Sequence, residues 1–334
     1  SGRVSMICFK TGRPLPPGTP NPWSYYDYHP RTLAAGLYAR EEWDLSPVLR
    51  VTSDLAWRHA GYAMRGDRFD GIAFSQRYDF SAPRMALAWQ PAKQWQAFAS
   101  YAYASREPAF RDLYDAEGAG AVPLYRRIDV AAGMYQDPLI RPEHVRDYEL
   151  GGSWHVEQAS LTANAYRMDF RDELVFAGQF DTDLGYPILG NAARSVHQGV
   201  ELAASMSRRF ARGAELGIDG NTTLSDNHFV QFREGYGPTL TDQVVYDGKP
   251  LGFVPAVMAN AGARVACRGL SARLETQHAG RIFVDNTGTA ANSIAPRTVW
   301  NGALSASGRV ADTHASVTLR GFNLGDLRYA TSGY

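Results

Sequence analysis

The chain has 334 residues, 45% hydrophobic and 20% charged, which excludes a disordered or low-complexity protein and allows one large domain or two. Its 34 basic and 34 acidic side chains cancel, so the basic face that a nucleic-acid partner requires is not expected. Two cysteines, Cys8 and Cys267, exclude a disulfide scaffold or a cysteine metal cluster, and no apolar run approaches the ~18 residues of a membrane helix.

In chain order, the first feature is a proline-rich opening. Pro14, Pro16, Pro17 and Pro20 mark residues 12–21 as loop. After it, hydrophobicity alternates with a period of two. Leu49, Val51, Leu55 and Trp57 share one phase, while Arg50, Thr52, Asp54 and Arg58 share the other. Such a strand has one apolar and one polar face. The pattern returns in Ala214, Leu216 and Ile218 against Glu215, Asp219 and Asn221, and again in 257–265, 270–275 and 316–320.

About twelve strands of roughly ten residues, the length of a tilted membrane-spanning strand, are expected. They begin near Thr32, Val48, Asp79, Trp95, Arg146, Ser160, Ser195, Gly213, Phe253, Leu270, Pro296 and His314. The connections alternate in length. Short turns fall at 44–47, 91–94, 157–159, 208–212, 268–269 and 311–313; long loops fall near 62–77, 106–144, 170–194, 226–251 and 285–295. Short turns on one side and long loops on the other point to an antiparallel transmembrane β-barrel, apolar face to lipid and polar face to a wet lumen. Trp43, Trp57, Trp89, Trp95 and Trp154, near strand ends, are expected to form interfacial girdles.

Six segments carry a resemblance. SREPAFRDLY (105–114), PLIRPEHVRDYELG (138–151), AYRMDFRDELV (165–175), NAARSVHQGVELAA (191–204), FVPAVMANAGARV (253–265) and FNLGDLRYATSGY (322–334) occur in the order of similar blocks in the TonB-dependent outer-membrane receptors. The resemblance covers roughly Thr32 to the end. It implies an all-β, antiparallel barrel portion of about 12 strands from a 22-stranded parent. Residues 1–31 would be the remainder of an extracellular loop and 32–329 the strands and loops. The plug domain, TonB box and final strand are expected outside this chain. It further implies an outer-membrane active-transport receptor of a Gram-negative bacterium, energised by TonB, for a ferric siderophore, haem or cobalamin. The alternatives are a passive porin-type channel and an outer-membrane hydrolase or adhesin.

No enzyme motif is present: neither HExxH, GxSxG, a P-loop nor paired CxxC occurs, and no cofactor is expected. The histidines are scattered, with His29, His144 and His228 in expected loops and His155 and His314 near turns. Asp181, Asp183 and Gly185 form an incomplete calcium-loop pattern, read as an acidic surface turn. Cys267 reads as a small buried residue on the apolar phase. Glu201, Asp219 and Arg264 fall on the lumen phase, where ion pairing and contact with a plug are both open readings. Of the basic residues only Lys10, Lys93 and Lys249 are lysines; anion recognition and coding-DNA base composition are the two readings, the second the plainer. The longest loop carries Tyr114, Tyr125, Arg126, Arg127 and Tyr135. Aromatic rings beside paired guanidinium groups suit a flat, anionic metal chelate, and packing against neighbouring loops is the bland alternative.

Overall fold

The computed structural model describes residues 28–65, 67, 71–115, 122–129, 131–180, 187–236, 242–310 and 312–333. Its strands are β1 (His29–Ser46), β2 (Leu49–Arg65), β3 (Phe74–Ala92), β4 (Trp95–Arg106), β5 (Tyr125–Asp129), β6 (Met134–Pro138), β7 (Glu143–Val156), β8 (Ala159–Phe180) and β9 (Pro187–Arg209). They continue with β10 (Ala214–Gln231), β11 (Arg233–Tyr236), β12 (Asp242–Val245), β13 (Val257–Cys267), β14 (Leu270–Ala279), β15 (Ile282–Phe283), β16 (Ser293–Ile294), β17 (Arg297–Val310) and β18 (Thr313–Gly321). One short helix, α1 (Phe110–Leu113), follows β4.

Twelve strands form one antiparallel sheet in the order β1-β2-β3-β4-β7-β8-β9-β10-β13-β14-β17-β18. Among the sheet strands every neighbour is also the next in sequence, so the sheet is an up-and-down meander with β1 and β18 at its two edges. Three two-stranded hairpins, β5-β6, β11-β12 and β15-β16, stand apart within the long connections.

Cross-strand register confirms the alternation, because directly opposed residues share a face. Leu37, Trp57 and Ser81 are aligned, as are Ala99, Leu150, Ala165, Val200 and Leu224. This face is uncovered: Leu37, Leu150 and Val317 are 72%, 64% and 73% exposed. In water such a surface would be a liability. In hydrocarbon each leucine contributes roughly 1.5–3 kcal/mol. The opposite face carries ion pairs: Arg40 donates to Asp54 at 2.6 and 3.0 Å, Arg50 to Asp44 at 2.7 Å, and Arg273 to Asp219 at 2.8 and 2.9 Å.

The turn at Arg268–Gly269 shows why the short end is tight. Both residues have positive φ, 48° and 83°, as a two-residue hairpin of primed type requires. A Cβ on Gly269 would strike the Ser307 carbonyl, whose own residue's N–H donates to the Gly269 oxygen at 2.7 Å.

Several expectations are corrected. Most of the sheet strands are longer than ten residues; β8 has 22 and β9 has 23, while β14 has 10 and β18 has 9. Pairing continues from Arg171↔Arg194 to Phe180↔Pro187, so much of the expected loop at 170–194 is a ladder. Alternation fades there because the strands have left the lipid, and Glu173, Val175, Ala192 and Ser195 are instead covered by protein. For the same reason His29, His144 and His228 lie in strands rather than loops. Trp57 is not at a strand end but within β2, opposite Leu37, because β2 runs on past it to Arg65. Trp43, Trp89, Trp95 and Trp154 do lie outward near the short-turn end, with Trp95 and Trp154 directly paired. Cys267 is outward and only half-buried, opposite Ala214 and Leu270. Cys8, the prolines of 12–21, and Asp181, Asp183 and Gly185 lie outside the described residues.

Candidate functional site

The buried side chains gather at the long-loop end. On the inward face of β2 and β3, Met64 and Phe74 oppose each other and are joined by Ile72, Tyr114 and Tyr125 in one buried cluster. The Phe74 ring is the hub, 5.8 Å from Phe110, 6.0 Å from Tyr114, 5.5 Å from Tyr125 and 5.9 Å from Tyr135. α1 and the β5-β6 hairpin are thereby seated against the inner wall. Backbone bonds complete the seat: Leu124 N–H donates to Leu113 at 2.8 Å, and Leu139 N–H to Leu124 at 2.8 Å.

Of the five residues expected to hold a ligand, Tyr114 and Tyr125 are 1% and 4% exposed. Tyr135 packs beside them. Their rings are therefore committed to the loop's own core, and burial pushes the Tyr125 phenol up to about 12. Tyr125 also donates weakly to Gln76 at 3.4 Å. Arg126 and Arg127 stay exposed on β5. Arg127 faces Asp137 at 3.3 Å, with both groups more than half exposed.

The two expected sequence blocks around this loop meet in space. Arg106 and Glu143 are cross-strand partners at 2.9 Å, and Glu143 also accepts from the Leu174 N–H at 3.1 Å. Asn191 clips the same region: its side chain accepts from Arg141 N–H at 2.8 Å and donates to the Arg141 and Asp172 carbonyls at 2.9 and 2.7 Å. Below it, Glu173, 8% exposed, accepts from Ser195 and lies 2.9 Å from the His197 Nε2. Sequence reading missed this buried trio, since its residues are ordinary until the β8-β9 register joins them.

The three lumen-phase residues divide. Asp219 is bound by Arg273, and Arg264 lies 3.5 Å from Glu215, so both have partners within the wall. Among the described residues Glu201 receives only the Asn164 amide, at 3.5 Å. Nearby on the inward face of β7 and β8, the buried Asp147 Oδ1 and Asn164 Oδ1 have no hydrogen-bond partner among the described residues.

A meander of long strands, apolar and uncovered outside, ion-paired inside, with loops seated at one mouth, is the wall of a transmembrane β-barrel. The family model described as TonB dependent receptor-like, beta-barrel matches residues 8–324. The chain belongs to that family.

Solved structures agree on the fold. The siderophore receptor PiuA from Acinetobacter baumannii superposes with a TM-score of 0.68 at 16% identity, over 92% of this chain and 41% of that one. The ferric yersiniabactin uptake receptor FyuA from Yersinia pestis gives 0.62 at 19% identity, over 93% and 43%. The copper transporter OprC gives 0.66 at 15%, over 90% and 43%. The chain thus spans less than half the length of these proteins. A search of the curated proteins found no match.

Proposed function

We propose that the whole protein is an outer-membrane active-transport receptor that captures an anionic metal chelate at this loop end and imports it with energy from TonB. The observation that carries the reading is the aromatic cluster on Phe74, which seats the β5-β6 hairpin against the inner wall and leaves Arg126 and Arg127 open. In this arrangement the tyrosines are scaffold and the guanidinium groups are the contact, able to hold carboxylate or catecholate oxygens by charge-assisted bonds. The names of PiuA, FyuA and OprC, a siderophore receptor, a ferric yersiniabactin uptake receptor and a copper transporter, are consistent with metal uptake. Asp147 and Asn164, each with an unpartnered oxygen, and Glu201, with one long bond from Asn164, suit a plug domain carried elsewhere in the full-length protein.

The test is a growth-rescue screen of the full-length receptor across siderophores, haem and cobalamin, with and without TonB. For the compound found, the double substitution Arg126→Ala and Arg127→Ala should weaken binding at unchanged surface abundance. Rescue independent of TonB would replace active transport by a passive channel. Unchanged affinity would remove the arginine pair from the site.

A further inference from the structure

A second basic cluster lies on the other face of the wall. Three successive outward rows climb from the apolar band toward the loops: Tyr101, Tyr148, Arg167, Gln198; then Tyr103, Arg146, Asp169, Val196; then Ser105, His144, Arg171, Arg194. The row immediately below is Ala99, Leu150, Ala165 and Val200. At a strand rise of about 3.3 Å and a tilt of about 40°, the climb from Val156 to Tyr148 is about 20 Å, most of an apolar band about 25 Å tall. Tyr101 and Tyr148, with ring centroids 5.2 Å apart, mark its upper rim. The arginines begin at that rim and face away from the lumen.

A groove of about 440 Å³ is lined by Arg146, Arg167, Arg171, Arg194, Asp169 and His144, among others. Arg167 is held in place, donating to Asp169 at 2.9 Å and to Gln198 at 2.7 Å. Arg146, Arg171 and Arg194 are exposed and form no ion pair among the described residues. Arg171 and Arg194 are also directly opposed across the β8-β9 ladder. Like charges in that position repel, so the pair is favourable only with an anion between its members.

We propose that this groove binds the phosphate groups of an anionic lipid headgroup in the surrounding outer leaflet. The height selects a headgroup, because the residues one row lower are apolar. The outward phase separates the groove from anything passing through the lumen. Guanidinium groups match phosphate by bidentate hydrogen bonding, and Arg167, already fixed by Asp169, presets one side of the clamp. The arginine preference of the sequence thus has a use at this place, whatever its origin elsewhere.

The inference rests on the outer-membrane placement proposed above, and not on the identity of any transported compound. To test it, the full-length receptor is reconstituted in phosphatidylcholine vesicles containing a minor fraction of labelled diphosphoryl lipid A. Enrichment of the label around the receptor is compared with that of Arg146→Gln/Arg171→Gln/Arg194→Gln. At about fivefold per arginine near an anionic surface, the triple variant should lose enrichment by on the order of a hundredfold. A second variant, Arg194→Glu, replaces the like-charge pair by an opposite-charge one, so it should keep the fold while losing the lipid. The parent should not enrich dephosphorylated lipid A, and inorganic phosphate should not displace the label. Equal enrichment by parent and variants would overturn the proposal; so would displacement by inorganic phosphate, which would assign the groove to a free anion. Lipid enrichment lost with chelate binding intact would leave the transport reading untouched.

Discussion

Arg273 reaches over β13 to Asp219, and the residue it crosses is Gly262. Asp219 is on β10, Gly262 stands opposite it on β13, and Arg273 comes from β14 on the far side. A Cβ on Gly262 would run into the guanidinium and lie 3.0 Å from Asp219 Oδ2. The glycine is the gap that lets a three-strand ion pair close.

Gly262→Val should therefore break the bridge. The pair is partly open to water, so the cost is about 1 kcal/mol rather than that of a buried pair. A Cβ on Gly308 meets nothing within 4 Å, and Gly308→Ala serves as the control. Urea unfolding of the full-length receptor should give a lower midpoint for the first variant and an unchanged one for the second.

The two faces of β2 predict opposite responses to charge. Leu55 is outward, opposite Ala39 and Pro83, whereas Thr52 is inward, opposite Glu42 and Ala86. Leu55→Arg should cost roughly 2–4 kcal/mol of folding into bilayers. Thr52→Arg, within reach of a carboxylate, should stay within about 0.5 kcal/mol. Equal losses in a refolding titration would contradict the assigned phase.

Sidedness can be read by tags. Gly133 lies in the β5-β6 turn with φ 62° and open space around it, while Lys93 lies in the β3-β4 turn at the opposite end. An epitope at Gly133 should be reached by antibody on intact cells, and one at Lys93 only after the envelope is opened. Labelling at Lys93 in intact cells would invert the orientation.

The loop seat should be sensitive to alkali. The Tyr125 phenol is raised from its ordinary value near 10 to about 12 by burial, so the folded state holds the proton more tightly than the unfolded. Its stabilising contribution is complete below pH 10 and is lost as pH rises through about 12. Tyrosinate absorbance should show late-titrating rings, of which Tyr125→Phe removes one, and in that variant the hairpin should loosen less over this range.

What was legible in the sequence follows from solvent. Where one face of a strand meets lipid and the other a wet lumen, composition alternates, and Leu49–Trp57 could be read directly. Above the lipid the two faces no longer meet lipid on one side and a wet lumen on the other and the signal stops, which is why Phe170–Arg194 read as loop although its ladder continues. Tyr114, Tyr125 and Tyr135 were visible as a cluster, but aromatics in a loop look alike whether they bind or pack; Phe74, far away in sequence, decides it. The outward arginines were hidden for another reason. Arg146, Arg167, Arg171 and Arg194 come from three strands, and only register makes them neighbours.

The continuation of β8 and β9 beyond the apolar band changes how the wall meets membranes of unequal thickness. Ordinarily a thicker bilayer would draw unpaired peptide groups into hydrocarbon. Here the backbone is already zipped for many residues above the tyrosine rim, up to Phe180↔Pro187. A rising lipid boundary would meet fewer bare N–H and C=O groups along this hairpin than along an unpaired loop, those of its two outer edges excepted. The height at which this wall floats is set by its side chains, with the arginine rows as the waterline.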